Sequence, residues 1–171
     1  MALRPEGRPG PSRHRHASGP SGFDLEVTGR LALGRYWRQA NARQRAAYPQ
    51  IFENYVVATY GRRLGEYSGD TLEVRGARLE GESHAVVRSD VRTAGARSVG
   101  VDWLLRRSAD GWRIIDVRVE GVSLAITHRS EFATVIAREG GIDGLLRELR
   151  SKAAAGNGHV ARKPQATEAR T

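Results

Sequence analysis

Residues 97–126 read RSVGVDWLLRRSADGWRIIDVRVEGVSLAI, and the apolar spacing within this stretch decides the fold. Val99, Val101, Trp103 and Leu105 alternate with Ser98, Gly100, Asp102 and Arg106, which in an extended chain gives one apolar and one polar face. Asp110-Gly111 supplies a tight turn, after which Ile115, Val117 and Val119 again share a face. Glu120-Gly121 is expected to bend or bulge this strand before Val122, Leu124 and Ile126 continue it, so a single run is expected over residues 112–126. Upstream, residues 71–79 and 83–93 carry the same alternation, separated from each other and from residues 97–107 by short glycine-containing connections. Four extended runs in succession predict a curved antiparallel four-stranded sheet with one apolar face.

On either side of the sheet the period changes from two to between three and four. Tyr48, Ile51, Phe52, Tyr55, Val56, Thr59, Tyr60 and Leu64 lay an aromatic-rich stripe along one face of a helix that ends before the turn signal Ser68-Gly69-Asp70. Asn41 is placed to cap that helix, Pro49 is expected to kink it, and Leu31, Leu33, Tyr36 and Trp37 predict a short helix or turn ahead of it. Downstream, Ser130 is expected to cap a helix running to about Glu139. Gly140-Gly141 ends it, and Asp143 restarts a short helix with Leu145, Leu146 and Leu149 facing inward. Helices, then a meander of strands, then helices make an α+β fold: a cone or half-barrel whose mouth is a natural apolar cavity.

The 171 residues suit one domain with loose ends. Residues 1–22, rich in Pro, Gly, Ser, Arg and His, are expected to be a disordered segment, residues 23–152 the folded domain, and residues 153–171 a flexible tail. The first segment lacks the apolar run of a secretory signal, because Ala2-Leu3 meets Arg4-Pro5 at once. No apolar run approaches the roughly 20 residues of a membrane-spanning helix. Cysteine is absent, which removes disulfides, thiolate metal sites and cysteine nucleophiles. More than half of the formal charge of +9 sits in the ends: Arg4, Arg8, Arg13 and Arg15 against Glu6, then Arg162, Lys163 and Arg170 against Glu168. A nucleic-acid-binding face on the folded part is therefore not expected, and any such activity would have to act through the tails.

Residues able to carry catalysis are few. Ser123, His128 and Asp116 are the types of a nucleophilic triad, but no strand-to-helix elbow of the G-x-S-x-G kind accompanies them. Metal-binding and phosphate-binding motifs are absent, and His14 and His16 have no carboxylate nearby in sequence. Asp102 and Asp116 fall within extended runs, where a carboxylate facing a cavity can serve as a base on a small apolar substrate; pairing with neighbouring arginines on the solvent face is the competing reading. His84 and His128 stand alone in sequence.

Two stretches, LGRYWRQANARQRAAYPQIFENYVVATYGRRLGEYSG and DGWRIIDVRVEGVSLAITHRSEFATVIAREGGIDGLLRELRSK, make the chain recognisable. Over residues 23–152 it resembles the MlaC-like, toluene-tolerance family of periplasmic phospholipid-binding proteins. The most specific parts are residues 116–124, DVRVEGVSL, and the later Arg129-Ser130-Glu131-Phe132. The resemblance implies a fold related to nuclear transport factor 2, with no catalytic activity and no cofactor or metal. One phospholipid would be the cargo, its acyl chains held inside. It also implies shuttling between an outer-membrane lipoprotein complex and an inner-membrane lipid ABC transporter with its membrane-anchored substrate-binding subunit, in the maintenance of outer-membrane lipid asymmetry. Nucleic acid is not among the implied partners.

On that reading the cavity lining is the alternating face Val99, Val101, Trp103 and Leu105 with Ile115, Val117, Val119 and Leu124, opposed by Phe52, Tyr55, Val56 and Tyr60 from the helix. The alternative for each is ordinary core packing. Arg35, Arg38, Arg62 and Arg63 are the guanidinium groups available to a phosphate, with a solvated helix surface as their default role. Family members normally carry a leader and further helices ahead of the segment matching Leu33-Gly34-Arg35-Tyr36-Trp37. Here a Pro/Arg-rich stretch and residues 23–29 stand in that place, so the start is expected to be either misassigned or shortened.

Overall fold

The computed structural model describes residues 22–65, 71–92 and 97–158. The expectations for most of residues 1–22, for Ser68-Gly69-Asp70 and for the end of the chain beyond Gly158 lie outside them. Three helices come first: α1 (Leu25–Leu33), the single turn α2 (Tyr36–Gln39) and the long α3 (Ala42–Gly65). Five strands follow, β1 (Thr71–Glu80), β2 (His84–Arg92), β3 (Val99–Ser108), β4 (Gly111–Val119) and β5 (Val122–Ser123), and then α4 (Leu124–Arg138) and α5 (Ile142–Gly158). The strands form one antiparallel sheet in chain order. The helices pack on one another and on β4.

Local chemistry accounts for most element ends. Asn41 Oδ1 accepts from Gln44 N at 2.9 Å while Gln44 Oε1 accepts from Asn41 N at 3.0 Å, a reciprocal capping box at the start of α3. Pro49 lies inside α3, which runs on through it without a break. Gly34 ends α1 with φ 57°, and a side chain there would meet Arg129, whose guanidinium donates twice to Leu31 O (2.9 and 2.8 Å) and ties α4 to the end of α1.

The fourth run departs from the expected single strand. Glu120 and Gly121 both adopt positive φ (49° and 82°), so the chain reverses into a hairpin and β5 becomes a fifth strand. Glu120 is held there by Gly100, whose N donates to Glu120 Oε1 at 2.6 Å and whose O accepts from Glu120 N at 2.9 Å. Leu124 and Ile126 consequently belong to α4 and not to a strand. The cap of α4 is Ser123, not Ser130: Ser123 Oγ accepts from Ile126 N at 3.1 Å, and Ser130 sits mid-helix bonding back to Ile126 O. Asp116, buried within β4, completes the junction. Its Oδ2 accepts from Ser123 Oγ (2.5 Å), and its Oδ1 accepts from Ala125 N (3.1 Å) and from Val117 N (2.9 Å). At its far end α5 continues through Ala153, which is buried, to Gly158, past the point where a flexible tail was expected.

The main core lies among the helices. Tyr48, Phe52, Leu33, Leu145 and Leu149 are its largest fully buried side chains, and Phe132 packs edge to face on Phe52 at 6.3 Å. Tyr48 OH donates to Gly29 O at 2.8 Å, and a Cβ on Gly29 would come within 3.0 Å of Phe52, so α1 and α3 touch nearly backbone to ring.

Burial pushes the Tyr48 phenol far above its usual range and the Tyr55 phenol up to about 12. Both hold their proton more tightly when folded. Their stabilisation is complete below the unfolded value near 10 and is lost as pH rises through the folded values. Stability measured by urea denaturation should therefore fall steadily above about pH 10, and Tyr48→Phe should cost about 1 kcal/mol at neutral pH while flattening that alkaline fall. Asp116→Ala, which strands the Ser123 hydroxyl and the Ala125 N–H, should cost about 2–3 kcal/mol in the same assay, and Asp116→Asn should recover part of it.

Candidate functional site

Strand register builds the site. Val99, Val101 and Trp103 of β3 lie opposite Val91, Ser89 and Val87 of β2 on one side, and Val101 and Trp103 lie opposite Val119 and Val117 of β4 on the other. All point to the face on which the helices stand, because side chains directly opposite each other in a sheet share a face. Between that face and the helices lies a cavity of about 530 Å³, within the usual range for a small-molecule pocket.

Nine of the twelve residues proposed from sequence line it: Phe52, Val56 and Tyr60 from α3, Val99, Val101 and Trp103 from β3, Val117 and Val119 from β4, and Leu124 from the first turn of α4. Three do not. Tyr55 turns into the helical core, with ring centroids 6.1 Å from Phe132 and 5.6 Å from His128. Leu105 keeps to the cavity-side face of β3, opposite Ala85, but is not among the lining residues. Ile115 leaves that face at a bulge in β4: Leu104 pairs with Asp116 and Leu105 with Ile114, so Ile115 has no cross-strand partner and the alternation of β4 breaks there.

Sequence reasoning missed Phe23, Leu25, Thr28, Val91, Ala125 and His128 as lining; Asp116, read from sequence as a carboxylate that could face a cavity, does line it. The alternation of Ala85, Val87, Ser89 and Val91 along β2 was a usable signal for Val91, as was the three-residue spacing of Leu25 and Thr28 on α1. Phe23 has no periodic signal. It is placed by a parallel bridge to β4, in which Ile114 N donates to Gly22 O and Asp24 N to Ile114 O, both at 2.8 Å. Asp24 also caps α1 through Val27 N (3.0 Å) and pairs with Arg106 at 2.9 Å.

Five lining residues carry polar side-chain groups, and each is engaged by the protein. Thr28 Oγ1 reaches Asp24 O and Ile115 O, both at 2.9 Å. Trp103 Nε1 donates to Ser89 Oγ at 2.8 Å, leaving its ring as wall. Asp116 accepts its three hydrogen bonds. His128, buried, approaches Glu131 Oε2 through Nδ1 (3.1 Å) and Tyr60 OH through Nε2 (2.9 Å). A carboxylate only accepts, so Nδ1 donates to Glu131, and in the neutral ring Nε2 accepts from Tyr60. The wall therefore presents mainly carbon to the space it encloses, which is what a dry ligand pocket requires.

The catalytic alternatives find no geometry. Ser123 donates to Asp116 while His128 faces Tyr60 and Glu131, so the three triad types do not form a relay. Asp102 alternates away from Val101 and Trp103 onto the outer face, 3.8 Å from Arg88. Arg35 and Arg38 stand at α2, beside the start of α3, whereas the α3 residues that line the cavity are Phe52, Val56 and Tyr60, further along it; Arg35 folds onto its neighbour Tyr36. The side chains of Arg62 and Arg63 lie outside the described residues.

The family model described as MlaC protein matches residues 20–151. The toluene tolerance protein ttg2D of Pseudomonas putida is 26% identical over 129 residues, covering 72% of this chain and 60% of the relative. The intermembrane phospholipid transport system binding protein MlaC of Haemophilus influenzae is 21% identical over 137 residues, covering 76% of this chain and 62% of the relative. The chain thus spans about three fifths of the length of these curated relatives. Among solved structures, the phospholipid-binding protein from Ralstonia solanacearum in complex with a phospholipid superposes with a TM-score of 0.70 at 29% identity, over 80% of this chain and 76% of that one. With a family model matched along most of its length and an open antiparallel sheet backed by helices, the chain belongs to the MlaC family.

Proposed function

We propose that the chain is a phospholipid carrier that holds acyl chains in the cavity between β2, β3, β4 and the helices, and that it performs no chemistry on them. The observation that carries this reading is the cavity wall itself: carbon-lined, with its polar groups spent on protein partners, in a fold like that of the Ralstonia solanacearum protein solved with a phospholipid. A lipid leaving a bilayer forfeits about 0.8 kcal/mol for every methylene withdrawn, so unassisted transfer is slow. A cavity of matched character returns most of that energy and makes transfer a near-balanced exchange.

Family membership and the name of the Haemophilus influenzae relative support a reading of the system in which the carrier works. It would be the periplasmic component of an Mla-type pathway, passing phospholipid between an outer-membrane lipoprotein complex and an inner-membrane ABC transporter. Among the described residues no helix is long and apolar enough to cross a membrane. The lining roles of the nine cavity residues are part of the same proposal.

Mass spectrometry of an organic extract of the purified protein, beside native mass spectrometry, tests it. Phospholipid bound to the purified chain is the expected result. Val119→Asp, which places a charge in the wall, and Val56→Trp, which fills the cavity without charge, should each reduce lipid occupancy at least about tenfold while far-UV circular dichroism stays native. A folded chain that carries no lipid and takes none up from vesicles contradicts the reading, as does unchanged occupancy in both variants.

The Phe23 bridge makes a second expectation. Asp24→Ala removes the α1 cap and the partner of Arg106 together, a loss of about 1–2 kcal/mol. Transfer of a fluorescent phospholipid from the loaded protein to acceptor vesicles should become several-fold faster in that variant.

A further inference from the structure

The sheet ends at β1, and β1 is unlike the other long strands: all ten of its residues are exposed. The β1–β2 register shifts at Arg75, between the pairs Val74–Ser89 and Gly76–Arg88. This shift resets the alternation. Leu72 and Val74 before it, and Ala77 and Leu79 after it, all oppose the cavity-side row Val91, Ser89, Val87 and Ala85 of β2. The strand therefore keeps an apolar face, continuous with the cavity wall and covered by none of the described helices: Leu72 is 43%, Val74 60% and Leu79 69% exposed. Its other face carries Glu73, Arg75, Arg78 and Glu80, paired along the strand as Arg75–Glu73 (2.8 Å) and Arg78–Glu80 (2.6 Å). Among the described residues the outer edge of β1 has no strand partner, and such an edge is a template for another strand.

The order of charges along β1 points to what that strand is. We infer that the chain forms a two-fold dimer by antiparallel pairing of β1 with β1 of a second copy, centred between Arg75 and Gly76. In this register Glu73 of each copy lies opposite Arg78 of the other. Leu72 lies opposite Leu79, and Val74 opposite Ala77, so every pair joins residues of the same face. Sliding by two residues in one direction sets Glu73 against Glu80 and Arg75 against Arg78. Sliding the other way leaves no opposite-charge pair and puts Val74 against Arg75. Of these three registers the first alone satisfies both charge and face while pairing the whole strand, and opposite charges directly across a strand pair favour it where like charges oppose it. The two-fold axis stands normal to the sheet, so both cavities lie on the same side of one continuous sheet, joined by the apolar rows of the two β1 strands.

The test uses the full chain in analytical ultracentrifugation over a wide concentration range. A monomer–dimer equilibrium is expected. Glu73→Arg and Arg78→Glu should each weaken it about tenfold or more, because each places two like-charge pairs across the symmetric interface. The double variant Glu73→Arg/Arg78→Glu, which exchanges the charges, should restore it to within about threefold. All these side chains are exposed, and circular dichroism melting checks that each variant is folded. Amide exchange in residues 71–80 should slow as wild-type concentration rises. A chain that stays monomeric at every concentration overturns the inference, as does a dimer indifferent to the single changes, or a double variant that fails to recover association.

Discussion

Much of the structure turns on one carboxylate. Asp116 lies within β4, just past its bulge at Ile115, and its two oxygens take hydrogen bonds from the Ser123 hydroxyl and from the N–H groups of Val117 and Ala125. Those bonds close the reversal at Glu120-Gly121 and staple β5 to β4. They also satisfy a donor at the start of α4, where a negative charge is favoured by the helix dipole. A buried carboxylate is costly unless its oxygens are occupied, and here the junction occupies them. The helix that results brings Leu124, Ala125 and His128 to the cavity and Phe132 into the helical core. Asp116 thus lines the cavity while its oxygens stay committed to the protein, which is the arrangement of a structural acid and not of a base awaiting a substrate.

The second constraint is that the two apolar surfaces of the fold do not cancel. The helical layer has its own core around Tyr48, Phe52, Phe132 and Leu145, and through α1 and α4 it meets the sheet along β4 and β5. Val99, Val101 and Trp103 therefore face space, where in an ordinary sandwich they would meet an opposing side chain. Ser89, beneath Trp103, shows how closely the wall is managed. Its hydroxyl takes the indole N–H and donates in turn to Val101 O, so that the polar edge of the tryptophan is satisfied within the sheet. An apolar volume with satisfied walls is stable when empty only at the cost of lost packing, and it gains by admitting a hydrocarbon chain. The same apolar row running out to Leu72 and Leu79 on β1 connects the cavity to the edge at which a second copy is proposed to bind.

Periodicity made the larger elements legible: β3 from Val99, Val101 and Trp103, and α3 from its three- and four-residue stripe, while the residue type alone marked the cap at Asn41. What escaped was set by non-local geometry. The run at residues 112–126 reads as one strand because Val122, Leu124 and Ile126 continue the alternation; only the bonds of Glu120 to Gly100 and of Asp116 to Ser123, between residues distant or oppositely placed in sequence, turn it into a hairpin and a helix. Ile115 was lost to a bulge in β4 that leaves no local mark in composition. Tyr55 was lost because a helical stripe wide enough to meet both the core and the sheet does not say which of its members meets which. Phe23 depends on a backbone bridge to Ile114, for which no side-chain pattern is needed.

The most direct test of the carrier account is Trp103 fluorescence in a variant whose other two tryptophans, Trp37 and Trp112, are replaced by phenylalanine, loaded with phospholipid brominated along its acyl chains. Bromine quenches only at close range. The account expects strong quenching by chain-brominated lipid and none by the unbrominated lipid of the same head group, because the ring forms part of the wall around the chains. Stoichiometric lipid binding that leaves Trp103 fluorescence unchanged would place the chains elsewhere and contradict it.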